Sequence, residues 1–249
     1  MIKAVYFDGD QTLWDFRALM RRALLATLDE LRALRPGPAT AQLDVDTLIA
    51  DREAAAASLR GRETNLERLR LAAFRRTVSR LGLADDGLAA HLNAFYLQRR
   101  FENIELYPDV RPGLEALRAT YRLGLLSNGN SYPDRSGLAG MFSAVVFAQD
   151  HGVEKPDPRL FGVAAAAIGC AGADLVMVGD SLANDVTGAR DAGWHGIWLN
   201  RDGAACPPPH APDAEITTLL ELPQALTGLE AALLKRGPRF GRLRSIPGD

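Results

Sequence analysis

Hydrophobic and polar residues follow two different rhythms along this chain. From residue 16 to about residue 100 the apolar positions recur every three or four residues, the period of a helix with one buried face. Phe16, Met20, Leu24, Leu28 and Leu31 form one such stripe, and Leu66, Leu69, Ala73, Val78 and Leu81 a second. Leu88, Leu92, Phe95 and Tyr96 form a third, with Pro36-Gly37-Pro38 and Gly82 as punctuation. On either side of this stretch the rhythm changes to short continuous apolar runs. Ala4-Val5-Tyr6-Phe7 precedes it; Leu123-Gly124-Leu125-Leu126, Ala144-Val145-Val146-Phe147, Leu175-Val176-Met177-Val178 and Gly196-Ile197-Trp198-Leu199 follow it. Strands covered on both faces read this way, and the segments between them suit crossover helices. The pattern predicts an α/β fold, a parallel sheet with helices on both faces, interrupted once by an all-helical insertion.

Local signals sharpen the boundaries. Pro112 is expected to open a helix running to about Tyr121, and Asp157-Pro158 reads as an N-cap followed by proline in the first turn. Another helix is expected to end at Gly193. Residues 204–212 read as a proline-rich loop, and Ala214-Glu215-Ile216 as a last short strand. The division predicted is a core of residues 1–14 and 105–229, a helical cap of 15–104, and a disordered basic tail of 230–249.

Composition narrows the class. With 249 residues, 47% of them hydrophobic, the chain can bury a full core. A formal charge of −2 leaves no global basic field, so nucleic acid is not expected as a partner and any anion site must be local. Cys170 and Cys206 are too few for a disulfide framework or a cysteine zinc site. No run of about 18 apolar residues and no apolar leader occur, so the expectation is a cytoplasmic protein with no membrane association.

The chemistry sits at the strand ends. β-Prone residues 4–7 break directly into Asp8-Gly9-Asp10-Gln11-Thr12, two carboxylates that are costly to desolvate side by side. In a parallel sheet, ligands bind beyond the carboxyl ends of the strands. There too fall Ser127-Asn128-Gly129, Lys155 in Glu154-Lys155-Pro156-Asp157, and Gly179-Asp180-Ser181 with Asp185 four residues after Ser181. Trp14, Arg17, Arg60, Arg62, Arg75 and Arg76 in and before the insertion are candidates to meet a ligand from above. The four histidines are scattered and suggest no site.

These four motifs, in this order, resemble those of the haloacid dehalogenase superfamily of hydrolases, in the group whose helical cap follows the first motif. The resemblance implies a Rossmann-like core, a Mg²⁺ cofactor and a small phosphorylated metabolite as substrate. It makes Asp8 the nucleophile and Asp10 the general acid and base. The Asp8 carboxylate, the Asp10 backbone carbonyl and the Asp180 carboxylate would hold the metal. Ser127, Asn128 and Lys155 would bind the phosphoryl group, and Asp185 would support the shell. Asp10 favours phosphoryl transfer over dehalogenation, because a departing halide needs no proton. A phosphomutase is the nearest alternative, with a 2-haloacid dehalogenase or a non-catalytic ligand sensor behind it. Two positions depart from the family's first motif. Gln11 replaces the commonest glycine, and Gly9 stands where a bulky apolar residue is usual and is expected to loosen the strand end.

Overall fold

β1 (Ala4–Phe7) lies inside a six-stranded parallel sheet, with β2 (Arg122–Ser127) and β3 (Ala144–Phe147) on one side of it. β4 (Leu175–Gly179), β5 (His195–Leu199) and β6 (Ala214–Ile216) lie on the other, giving the order β3-β2-β1-β4-β5-β6. This computed structural model describes residues 1–236. The chain therefore builds outward from β1 in one direction and then returns to build in the other. The switch falls between β1 and β4, where the connecting loops diverge and leave a crevice at the carboxyl ends.

The continuous apolar runs are explained by burial on both faces. Val5 and Phe7 of β1 pack with Leu114 and Leu117 of α6 (Val110–Leu117) and with Leu222 and Leu226 of α9 (Leu222–Arg236). Ala4 and Tyr6 point the other way, toward Leu160, Phe161 and Ala164 of α7 (Pro158–Ile168). Each of the buried valine, leucine and phenylalanine side chains contributes about 1.5–3 kcal/mol. The Tyr6 hydroxyl donates to the Ala164 carbonyl at 2.6 Å, so its burial leaves no orphan.

Between β1 and β2 lie α1 (Phe16–Leu34), α2 (Pro38–Ala41), α3 (Val45–Leu59), α4 (Leu66–Arg80) and α5 (Asp86–Phe101). They enclose an apolar cluster of their own that includes Leu24, Leu28, Phe74, Val78, Leu92 and Tyr96. The side chains of Asp15, Asp44, Asn65 and Asp85 cap α1, α3, α4 and α5 by accepting from backbone N–H groups of the first turn.

Three expectations are corrected. α6 begins two residues before Pro112, because proline is tolerated throughout a first turn whose N–H groups have no helical partner, and it ends at Leu117 rather than Tyr121. The insertion holds α3, which no apolar stripe announced. α9 runs to Arg236, so residues 230–236, expected in the tail, are helical; the rest of that tail lies outside the described residues. The helix expected to end at Gly193 does end there: a π-helical turn (Leu182–Thr187) runs into α8 (Gly188–Asp191), and Gly193 follows in the left-handed conformation, φ +80°.

Candidate active site

Register places the chemistry. Phe7 pairs with Leu125 on one side and Val178 on the other, so Asp8 leaves β1 level with the ends of β2 and β4. One carboxylate oxygen from each of Asp8, Asp180 and Asp185 lies within 4.8 Å of the others. The Lys155 ammonium sits among them, donating to Asp8 Oδ1 at 2.7 Å, Asp185 Oδ1 at 2.6 Å and the Leu126 carbonyl at 2.8 Å. Lys155 is buried, Asp185 is buried, and Asp8 is only 8% exposed.

Burial and crowding set the electrostatics. Burial first, then the neighbouring carboxylates of Asp185 and Asp180, push Asp8 up to about 8 against the opposing charge of Lys155. Asp180 is pushed up to about 6, again by burial and then by Asp185. Burial disfavours the Lys155 ammonium, yet Asp185 and Asp8 together hold its pKa above the ordinary lysine value. Three carboxylates facing one ammonium leave an excess of negative charge, and an oxygen-only donor set of this kind suits a hard divalent cation.

Neighbouring groups fix these side chains. The Asn128 amide clamps the Lys155 backbone from both sides: its Nδ2 donates to the Lys155 carbonyl at 3.0 Å and its Oδ1 accepts from the Lys155 N–H at 2.8 Å. The Asn128 side chain is thus engaged with the Lys155 backbone. Ser127 Oγ accepts from the Gly129 N–H at 3.0 Å, which leaves its own proton available. Thr12 Oγ1 accepts from the Asp180 N–H at 3.2 Å, and Trp198 Nε1 donates to the Asp180 carbonyl at 2.9 Å. Asp185 rises from the π-helical turn, where its Oδ2 also accepts from the Ser181 N–H. Gly179 packs against it so closely that a Cβ would overlap the carboxylate.

Asp10 stands apart from the carboxylate cluster. Trp14 Nε1 donates to Asp10 Oδ1 at 2.7 Å, with the indole buried completely. The same ring accounts for Gly9: a Cβ there would lie 2.6 Å from Trp14 Cζ2. The sequence suggests only that Gly9 loosens the strand end; the structure gives the position another reason, since it admits the indole that holds Asp10. Gln11 adopts φ +63°, the left-handed conformation that glycine takes without penalty, and its Oε1 accepts from the Arg17 N–H at 2.9 Å.

The insertion reaches the site through arginines other than those expected. Arg60, Arg62, Arg75 and Arg76 are exposed, and Arg75 pairs with Asp86. Arg17 is also exposed, though near enough for its charge to lower Asp180. The contacts come instead from Arg70, whose Nη2 donates to Asn130 Oδ1 at 2.9 Å, and Arg100, whose Nη2 donates to Ser131 Oγ at 3.1 Å. Arg100 Nη2 is also 4.0 Å from Asp10 Oδ1. The signal for both lay in their phase. Arg70 shares the buried face of Ala73 and Phe74, and Arg100 follows Tyr96 by one turn.

Comparison with known proteins agrees with this geometry. The family model of the haloacid dehalogenase-like hydrolases matches residues 2–193. A phosphoserine phosphatase of Thermus thermophilus is 37% identical over 155 residues, 60% of this chain and 61% of the relative, so that match spans under two thirds of the Thermus protein. The human N-acylneuraminate-9-phosphatase is 28% identical over 241 residues, 92% of this chain and 95% of the relative. Among solved structures, a 2-haloacid dehalogenase from Pseudomonas syringae pv. Tomato DC3000 superposes with a TM-score of 0.77 at 32% identity, over 92% of this chain and 99% of that one. With the sheet order, the four loop motifs at one edge and these matches together, the chain belongs to the haloacid dehalogenase-like hydrolases.

Proposed function

We propose that this hydrolase is a Mg²⁺-dependent phosphatase acting on a small phosphate monoester through an aspartyl-phosphate intermediate. The observation that carries this reading is the buried trio of Asp8, Asp180 and Asp185 facing the single ammonium of Lys155. Mg²⁺, held by the Asp8 and Asp180 carboxylates and the Asp10 carbonyl, would screen the phosphoryl charge that otherwise repels an anionic nucleophile.

The chain's own residues divide the remaining work. Lys155 orients Asp8 and adds fixed positive charge beside it. The Ser127 hydroxyl and the backbone N–H groups of its loop hold phosphoryl oxygens, while Asn128 keeps Lys155 in place. An Asp8 oxygen forms a bond to phosphorus as the bond to the leaving oxygen breaks, and Asp10 delivers its proton to that oxygen. Asp10 then takes a proton from the water that attacks the aspartyl phosphate, which frees inorganic phosphate and restores Asp8. The helices of residues 15–104 act as a cap, and the contacts of Arg70 and Arg100 with Asn130 and Ser131 close it over the site and exclude water.

The 32% identity to a 2-haloacid dehalogenase supports a second reading, displacement of halide by Asp8. Asp10 weighs against it, since a halide leaves without a proton. Phosphate release from p-nitrophenyl phosphate, with and without Mg²⁺, and chloride release from 2-chloropropionate separate the two. Mg²⁺-dependent phosphate release, lost in Asp8→Asn, is expected; chloride release without phosphate release would overturn the phosphatase reading.

A further inference from the structure

Among the described residues, two buried arginines have donors with nothing to bond. Arg100 is 1% exposed, and Ser131 Oγ is the hydrogen-bond acceptor it reaches; its Nε and Nη1 have no partner. Its guanidinium carbon lies over the rings of Phe16 and Phe101, 4.8 and 4.9 Å from their centroids, so cation–π attraction holds the group in place. Arg70 is 8% exposed, bonds Asn130 through Nη2 and has no partner for Nη1. The Tyr96 hydroxyl, buried on the same helix as Arg100, is likewise without a partner.

The two cations also repel each other. Burial, then the charge of Arg100, brings Arg70 down to about 10, with Asp10 and Tyr96 opposing. Asp10, the carboxylate nearest to Arg100, lies 4.0 Å away through an oxygen already bonded to Trp14. Buried charge with unpaired donors is costly unless an anion completes it. Guanidinium groups suit an oxyanion, which can accept hydrogen bonds from the unpartnered donors of both.

Position says which part of a substrate the oxyanion belongs to. Asp10 gives its proton to the leaving oxygen under the function proposed above, so whatever lies beside Arg100 is the alcohol and not the phosphoryl group. We propose that Arg70 and Arg100 form an anion subsite for the leaving group, and that the substrates are phosphate monoesters whose alcohol carries a second oxyanion, a carboxylate or another phosphate. This inference rests on the phosphatase reading and deepens it. Because α4 and α5 carry the arginines while Asn130 and Ser131 belong to the loop after β2, closing the cap brings the subsite to Asp10.

The test compares three small esters in the full-length Asp8→Asn chain with Mg²⁺ by titration calorimetry: ethyl phosphate, 2-phosphoglycolate and propane-1,3-diol bisphosphate. Binding of one anionic ester about 10- to 100-fold tighter than ethyl phosphate is expected, and which one prevails identifies the oxyanion. Arg70→Gln and Arg100→Gln in the same background should each remove most of that preference. Equal binding of all three esters, or a preference that survives both substitutions, overturns the subsite. The three-ester comparison needs neither arginine variant to fold. Phosphate release from p-nitrophenyl phosphate by the unsubstituted chain without any preference sinks the subsite alone, whereas no release from any ester sinks the phosphatase reading.

Discussion

Trp14 and Gly9 make a single unit. The indole donates to Asp10, and its ring occupies the space that any side chain at position 9 would take. Trp14→Phe keeps the ring bulk and deletes the donor, so the Asp10 carboxyl loses its fixed orientation. We expect kcat to fall about tenfold while KM changes little, measured on an aryl phosphate. Gly9→Ala forces the indole to move and should cost about 1–3 kcal/mol in urea unfolding as well as activity; an unchanged midpoint would mean the ring has room that the structure denies it. The motif residues were legible because their types and spacing carry the chemistry. Gly9 was not, since its reason is a tryptophan five positions later whose direction no motif specifies. The role of Asn128 was hidden in the same way: the acceptor and donor it satisfies belong to Lys155, 27 residues on.

At the level of elements, apolar runs disclosed the strands and periodicity disclosed three insertion helices, but α3 went unread. Its buried face is Leu48, Asp51 and Ala55, so a carboxylate interrupts the stripe that marks a helix. The structure resolves the conflict through α4: Thr77 Oγ1 donates to Asp51 Oδ2 at 3.0 Å, and Arg80 Nη2 donates to Oδ1 at 2.7 Å. Polar ties between helices leave no periodic trace. Asp51→Ala removes both tethers while Thr77 keeps a bond to the Ala73 carbonyl and Arg80 turns to solvent. The expected loss is about 1–2 kcal/mol by denaturant unfolding. A loss below a few tenths would show that apolar packing alone joins α3 to α4.

For the molecule as a whole, the site is a place where folding and function oppose each other, because the fold gathers more carboxylates than Lys155 balances, a repulsion that protons or a bound cation would relieve. Asp180 is held up to about 6 and Asp8 up to about 8, both above their values in an unfolded chain. Between pH 4 and 8 the folded state therefore binds more protons than the unfolded one, and stability must fall as pH rises through that window. Lys155 is protonated in both states throughout it and adds no slope. Asp157, lowered to about 2 by its bonds to Arg159, loses its contribution only at a more acid pH. The chelator-treated protein should accordingly melt on the order of 5 °C lower at pH 8 than at pH 5.5. Mg²⁺ should raise the melting temperature more at pH 8 than at pH 5.5, and binding near neutral pH should release protons into a weakly buffered solution. Scanning calorimetry with and without Mg²⁺ at the two pH values checks the sign. A chelated protein that gains stability toward pH 8 would mean the three carboxylates are already balanced by the chain, and with that the charge argument for a divalent cation would fall.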